Sequence, residues 1–293
     1  MTHVENELNS QPECWARAAE EAPRHRDALP GPGERVAIVG CGTSYFMAQA
    51  VAGLREGAGQ GETDAFAASE FPYGRPYDRV VALTRSGTTT EVLELLGKVR
   101  GRTRTTAVTA DPGTPVMSAA DGLVVLDFAD ERSVVQTRFA TTALTLLRAH
   151  LGLHTDSVVA DARTALSASL PEDLLACTQF TFLGRGWTVG LAGEAGLKMR
   201  EASLSWTEAY PAMEYRHGPI SITTEGTATW MLGAAPAGLA QQVRATGGLW
   251  IDGGLDPLAE LVRIHRLAVA VAAARGLDPD QPRHLTRSVI LAP

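Results

Sequence analysis

The feature that most constrains the fold is a unit that occurs twice: a β-branched apolar run, a glycine-rich turn and an apolar helical pattern. In the first copy VAIVG leads through Gly40-Cys41-Gly42 into the helix, and in the second FTFLG leads through Gly184-Arg185-Gly186. The two turns lie about 144 residues apart. Strands that alternate with helices favour a parallel sheet covered on both faces, so the repeat predicts two related α/β domains.

Proline and glycine in LPGPGE, residues 29–34, separate a polar helical opening from the first strand. We therefore place an N-terminal helical segment at residues 1–30, with Trp15 as its one large apolar anchor. A first α/β domain is predicted at residues 31–160 and a second at residues 161–293. A chain of 293 residues, 45% of them hydrophobic, is long enough to bury the cores of two such domains.

The stretch TRSGTTTE, residues 84–91, lies between an apolar strand and an amphipathic helix. Such a turn directs backbone N–H groups and the positive end of the helix dipole at one point, which is a common place for an anion. A lone Ser or Thr there is ordinarily a helix cap. This run has more hydroxyls than a cap needs, so we interpret it as a phosphate-binding turn. The second copy lacks the hydroxyls, and only the first half is expected to hold the anion.

Three charged residues share one face of the helix predicted in GEAGLKMREAS, residues 193–203. Glu194, Lys198 and Glu201 stand at positions i, i+4 and i+7. A solvated ladder of ion pairs is one interpretation, but the neighbouring residues are mostly apolar. We therefore predict a largely buried helix whose charged groups have shifted pKa values, as at many functional sites. His217, on a predicted loop before Gly-Pro, is either a structural histidine or an acid–base group.

Composition excludes several classes of function. The net charge of −7 offers no basic surface for nucleic acid. No apolar stretch is long enough to cross a membrane, and the start of the sequence lacks the pattern of a signal peptide. The three cysteines lack metal or redox spacing, so we expect a protein of the reducing cytoplasm without a metal. Tyr45 and Val189 replace the third glycine of a dinucleotide fingerprint, and no cofactor is predicted.

Six segments, in order along nearly the whole chain, resemble the isomerase half of glucosamine-6-phosphate synthase. By these segments the chain is identified as a member of the sugar isomerase (SIS) family, whose fold is two flavodoxin-like parallel-sheet domains related by an internal repeat. The segments are CGTSY (41–45), TRSGTTTE (84–91), VVQTRFATT (134–142), GEAGLKMREAS (193–203), EAYPAMEYRHGP (208–219) and DQPRHLTRSVIL (280–291).

The resemblance implies a role for each matching position. Glu201 would move a proton between C1 and C2 of a sugar phosphate, with Lys198 and Glu194 as its partners on the helix. His217 would open the sugar ring from the neighbouring subunit of a homodimer with shared active sites. The residues implied to surround the phosphosugar are Ser44, Thr84, Arg85, Ser86, Thr89, Val134 and Gln136.

The chain departs from the synthase pattern at two of these positions and at one position in the C-terminal tail. Arg85 replaces a glutamine, Gln136 replaces a serine, and Arg287 replaces a lysine in the tail over the site. We keep Arg287 among the catalytic candidates, although a guanidinium stays charged and mainly binds where a lysine amine can exchange protons. No nucleophilic cysteine of a glutaminase occurs at the start of the sequence, so glutamine is not the expected source of ammonia.

Three functions are compatible with these residues. The first is a phosphosugar aldose–ketose isomerase, or an aminosugar-phosphate deaminase, working through an enediol. The second is a phosphosugar sensor without turnover, and the third is a subunit that serves a separate glutaminase. Glu201 and His217 favour the enzyme, because a sensor needs neither a base nor a ring-opening acid. The identity of the sugar phosphate and the direction of the reaction stay open.

Overall fold

The computed structural model describes residues 2–153 and 155–291. The chain opens with two helices, α1 (His3–Asn9) and α2 (Gln11–Glu21), and one 3₁₀ turn at Ala22–His25. Trp15 of α2 is fully buried, and its indole N–H donates a hydrogen bond to Thr141 Oγ1 at 3.0 Å. The opening residues thus form helices with Trp15 as a buried apolar anchor, and the extent of this segment stays a prediction.

The first sheet has five parallel strands covered on both faces by helices. The strands are β1 (Val36–Gly40), β2 (Thr63–Ala67), β3 (Arg79–Leu83), β4 (Arg104–Thr109) and β5 (Gly122–Val125). The helices are α3 (Thr43–Gly57), α4 (Thr90–Val99), α5 (Val116–Ala119) and α6 (Arg138–His150). The strand order is β2-β1-β3-β4-β5, which is the flavodoxin-like order. Every residue of β1 and β3 is buried, as the apolar runs predict for a sheet covered on both sides.

The second sheet repeats this order with one strand fewer. Two helices lead to it, α7 (Asp156–Ser167) and α8 (Glu172–Leu175). Its parallel strands are β6 (Gln179–Gly184), β7 (Trp206–Pro211), β8 (Thr227–Leu232) and β9 (Leu249–Asp252), in the order β7-β6-β8-β9. Its helices are α9 (Thr188–Ser203), α10 (Leu239–Ala245) and α11 (Pro257–Ala274). The fold is thus the predicted pair of flavodoxin-like parallel-sheet domains.

The predicted boundary between residues 160 and 161 lies within α7, and the limits of the domains stay a prediction. None of the helices in the two described ranges combines the length and the apolar character that crossing a bilayer requires.

Helices α3 and α9 pack against each other where the two halves of the chain meet, and glycines on both helices allow the backbones to approach closely. A Cβ on Gly190 of α9 would lie 2.4 Å from the carbonyl oxygen of Phe46, and one on Gly53 of α3 would lie 2.8 Å from Trp187 Cα. Real Cβ atoms are not found this close to a backbone, so larger residues would force the helices apart. The contact brings the N-terminus of α3 beside the C-terminal half of α9.

Candidate active site

A cleft of about 320 Å³ opens where the first sheet reverses its winding, at the carboxyl ends of β1 and β3. Ligands of open α/β sheets bind at such switch points. The turn after β1, the turn after β3 and the C-terminal tail form its walls, and α9 closes its inner side. The lining includes every residue of the predicted phosphosugar-binding set and two of the predicted catalytic residues: Ser44, Thr84, Arg85, Ser86, Thr89, Val134, Gln136, Glu201 and Arg287.

The hydroxyls of the turn after β3 are not used as helix caps. Thr89 is the N-cap residue of α4, yet its side chain makes no capping hydrogen bond. Thr84 Oγ1 is buried and, within the described residues, has no hydrogen-bond partner. Ser86 Oγ accepts a hydrogen bond from Thr88 Oγ1 at 3.0 Å, which orients its own proton away from that neighbour. The turn therefore presents hydroxyl donors to the cleft at the N-terminus of α4, where an anion is favoured.

Arg85 lines the cleft, but its guanidinium is engaged by the protein. Its terminal nitrogens donate to the carbonyl oxygens of Ser133 at 2.9 Å and Arg287 at 2.7 Å. One of these nitrogens lies 3.9 Å from the buried Glu131 carboxylate, which balances its charge. Burial lowers the pKa of Arg85 from its ordinary value, and Glu131 opposes this shift. As placed, Arg85 joins the turn to the tail, and its predicted contact with phosphate stays a prediction.

The C-terminal tail lies across the mouth of the cleft and is tied to the phosphate turn. The backbone N–H of Thr90 donates to the Val289 carbonyl at 3.2 Å, and the hydroxyls of Thr88 and Ser288 lie 2.9 Å apart. The guanidinium of Arg287 donates to Asp130 Oδ1 at 2.6 Å and to the Glu131 carbonyl. This side chain therefore anchors the tail to the loop before α6. Its catalytic role stays a prediction.

The charged residues of α9 lie beneath the cleft. Glu194 and Lys198 have side chains only 1% exposed, which excludes the solvated ladder, whereas the Glu201 side chain is 17% exposed and reaches the cleft. Lys198 Nζ donates directly to Glu201 Oε2 and lies 3.6 Å from Glu194 Oε1. Burial alone would lower the pKa of the Lys198 ammonium, but Glu194 and Glu201 together raise it. Lys198 is therefore a fixed cation that holds the Glu201 carboxylate at the edge of the cleft.

His217 is not among the residues that line the cleft of its own chain. It ends a 3₁₀ turn, Glu214–His217, just after β7, and it is exposed. Gly218 follows with φ of 143°, a backbone conformation that residues with a side chain rarely adopt. The structure therefore places His217 on an ordered turn rather than an irregular loop, with its imidazole open to contact from outside the chain.

Two buried groups near the site were missed by the sequence analysis. Glu131 accepts the backbone N–H groups of Thr137, Arg138 and Phe139, so it caps the N-terminus of α6 beside the cleft. His265 of α11 lies with Nε2 3.9 Å from Glu194 Oε1 and is fully buried. A single titratable residue on an otherwise apolar helix face was the only sequence signal for His265.

Comparisons with known proteins bear on the family resemblance and on the fold. No protein-family model matches the chain. It is 30% identical over 312 residues to the glutamine–fructose-6-phosphate aminotransferase (isomerizing) of Symbiobacterium thermophilum, and 28% identical over 308 residues to that of Methanothermobacter thermautotrophicus. These matches cover 87% and 88% of this chain but 51% and 52% of the relatives. The chain thus spans about half the length of the curated relatives it matches.

Solved structures share the fold over nearly the whole chain. Glucosamine-6-phosphate deaminase from Thermotoga maritima superposes with a TM-score of 0.83 at 24% identity, covering 99% of this chain and 100% of the other. The C-terminal domain of the Francisella tularensis glucosamine-fructose-6-phosphate aminotransferase gives 0.78 at 20% identity, covering 96% and 98%. Tagatose-6-phosphate ketose/aldose isomerase from Escherichia coli gives 0.79 at 17% identity, covering 100% and 97%. The resemblance to the isomerase half of the glutamine–fructose-6-phosphate aminotransferases is thereby confirmed in sequence, and the resemblance to the SIS phosphosugar isomerases is confirmed in fold.

Proposed function

We propose that the protein is an enzyme acting on a sugar phosphate through an enediol intermediate. It either interconverts an aldose and a ketose or releases ammonia from an aminosugar phosphate. The observation that carries this proposal is the placement of one carboxylate, Glu201, in the same cleft as the hydroxyl-rich turn. An anion site beside a base fits a substrate that must be held by phosphate while a proton moves between adjacent carbons.

In this mechanism the phosphate binds at the turn after β3, where Ser86 and Thr89 donate hydrogen bonds. With the sugar in its open form, the Glu201 carboxylate removes the proton from the carbon next to the carbonyl. The electrons of that C–H bond form the enediol double bond, and the carbonyl oxygen takes up a proton. Return of the proton from Glu201 to the other carbon, with loss of the proton on the second enediol oxygen, forms the new carbonyl and completes an isomerisation. Lys198 holds the Glu201 side chain in position for both proton transfers.

The positions of the two lysines favour a proton-transfer mechanism over one in which a lysine forms a covalent imine with the sugar. The sequence contains only Lys98 and Lys198. Lys98 is exposed on α4 with its ammonium 3.7 Å from Glu94, and Lys198 is buried and held by Glu201. The tail position at which the resemblance implies a lysine is Arg287, whose guanidinium is bound to Asp130. No lysine amine is thus free in the cleft to attack a sugar carbonyl.

The chemistry can be tested before the physiological substrate is known. Incubation in deuterated water with glucosamine 6-phosphate, fructose 6-phosphate and glucose 6-phosphate should exchange the hydrogen at C1 or C2 of at least one of them. Ketose formation and ammonia release are assayed in parallel, and fructose 6-phosphate is also offered with ammonia. Ketose formation alone identifies an isomerase, and ammonia release identifies a deaminase. Binding of several sugar phosphates without any exchange would contradict the enzymatic proposal and leave the sensor.

Phosphate affinity is expected to depend on the turn after β3. Replacing both Ser86 and Thr89 with alanine removes two hydroxyl donors, each contributing about 0.5–1.5 kcal/mol or more toward a charged acceptor. Affinity for the sugar phosphate, measured by calorimetry, should fall by about tenfold or more. Ser118→Ala, which removes an exposed hydroxyl on α5, is the matched control and should bind normally. Normal affinity in the double variant, with only a lower melting temperature, would mean that these hydroxyls serve the fold.

We further propose a homodimer in which His217 completes the cleft of the partner subunit. Three observations support it: His217 is exposed, it is not among the residues that line the cleft of its own chain, and exposed apolar side chains occur along the same stretch of the chain. Trp206, on the edge strand β7, is 72% exposed, and Met213 and Ile222 are 47% and 44% exposed. A bare sheet edge with a large apolar side chain is typical of a surface that another chain covers. A second copy would cover this edge and place the imidazole at the cleft for ring opening.

A further inference from the structure

A buried pair of titratable side chains, Glu194 and His265, lies behind the Lys198–Glu201 ion pair and has no part in the mechanism described above. Glu194 Oε1 lies 3.9 Å from His265 Nε2 and 3.6 Å from Lys198 Nζ. Within the described residues, no hydrogen bond of normal geometry reaches either nitrogen of His265 or either carboxylate oxygen of Glu194, although the Thr43 hydroxyl is near enough to lower the pKa of Glu194. Because unpaired buried polar groups cost free energy, such a pair indicates a task beyond filling the core.

The charges of the cluster decide which groups are ionised. Lys198 supplies one positive charge, and the directly bonded Glu201 carboxylate balances it. A second carboxylate in this interior would have no cation of its own, so its charged form is disfavoured. Burial raises the pKa of Glu194 to about 8 against the opposing effect of Lys198. Burial, assisted by the Lys198 charge, lowers the pKa of His265 to about 3. At neutral pH the pair is therefore a carboxylic acid facing a neutral imidazole.

We propose that His265 is a positioning residue, whose Nε2 accepts a hydrogen bond from protonated Glu194 and so leaves Lys198 paired with Glu201 alone. This hydrogen bond requires the side chains to rotate so that the 3.9 Å separation between Nε2 and Oε1 shortens to about 3 Å. The catalytic consequence rests on the proposed function, because it concerns the orientation of Glu201 as the base.

The surroundings set the expected pH dependence. From its own helix, Lys198 lowers and Glu201 raises the pKa of Glu194, and Thr43 of α3 lowers it. His265 is the titratable group of α11 that faces the Glu194 carboxyl. Glu131 also belongs to the surroundings, because its charge raises the pKa of Lys198. When Glu194 loses its proton near pH 8, it competes with Glu201 for the Lys198 ammonium. Activity is therefore expected to fall on the alkaline side as the pairing of Glu201 is disturbed.

The first experiment detects the pair without any turnover, so it stands apart from the proposed function. The imidazole nitrogens are labelled with ¹⁵N in the full chain, and His265 is assigned among the 7 histidines by comparison with His265→Gln. We expect a neutral imidazole from about pH 5 to 9, because burial keeps its pKa low. The ¹⁵N chemical shift of Nε2 should change with a midpoint near pH 8, the pKa of Glu194, and this change should be absent in Glu194→Gln. A histidine that titrates near its ordinary pKa, or a Nε2 shift unchanged by Glu194→Gln, would overturn the proposal.

The second experiment separates positioning from packing. His265→Leu fills a similar volume without a nitrogen, and His265→Gln keeps a neutral hydrogen-bonding group. The leucine variant should lower the maximal rate of C1 or C2 hydrogen exchange by about ten- to a hundredfold, with KM nearly unchanged. It should also shift the alkaline limb of the pH–rate profile. The glutamine variant should restore most of the rate. Equal losses in both folded variants, with the alkaline limb unmoved, would contradict the positioning role. Where the leucine variant does not fold, the glutamine variant and the ¹⁵N titration decide.

Discussion

Replacing Glu201 with glutamine should lower turnover by about 10²- to 10⁴-fold, because the change keeps the shape of the side chain and removes its basicity. Glu201 is the carboxylate of α9 that reaches the cleft, and Lys198 holds it there through a direct hydrogen bond. Binding of the sugar phosphate should change little, since the hydroxyl turn is untouched. Turnover and the C1 or C2 hydrogen exchange are measured together and should fall together.

The matched control is Glu225→Gln, an exposed glutamate in the segment before β8. It should leave turnover, exchange and sugar-phosphate affinity unaltered. A Glu201→Gln protein that keeps the exchange rate of the wild type would show that another group is the base. A loss of affinity equal to the loss of turnover would instead assign Glu201 to binding.

Mixing two inactive variants, His217→Ala and Glu201→Gln, should restore activity if the active site is shared between subunits. Each hybrid dimer then contains one cleft with an intact Glu201 and an intact histidine from the partner. Random exchange at equal amounts makes half of the dimers hybrids, so activity should return to about one quarter of the wild type. The measurement is the exchange or turnover assay after subunit exchange, which mass-labelled chains verify independently.

The control for this experiment mixes His217→Ala with the double variant carrying both substitutions. No hybrid of that pair contains a complete site, so no activity should return. Subunits that exchange without recovery in the first mixture would place both residues in one chain's site, or would show that one of them is not catalytic. A protein that is monomeric at assay concentration would contradict the shared site directly.

Local spacing along the chain was enough to predict the parts of the fold that depend on near neighbours. The runs VAIVG and RVVAL are continuous β-branched or apolar stretches, and both became fully buried parallel strands. Strand β2 has no such signal, because it is an edge strand whose sequence TDAFA is mostly half-buried and contains no apolar run. The apolar pattern of helix α6 does not mark where the helix begins, which is at Arg138. The buried Glu131 carboxylate caps it there, and a cap from an upstream loop leaves no periodic signal.

The repeat, the hydroxyl turn and the charged face of α9 could each be predicted from the spacing of residues along the chain. How the long side chains are used could not be predicted, because it depends on tertiary contacts. Arg85 and Arg287 are 202 positions apart, yet a guanidinium of one bonds the carbonyl of the other, so the predicted phosphate ligand also ties down the tail. His265 meets Glu194 because α11 packs on α9, and His217 lies outside the lining of its own cleft. Such contacts arise from the packing of distant segments, and the pattern of residues within any one segment does not contain them.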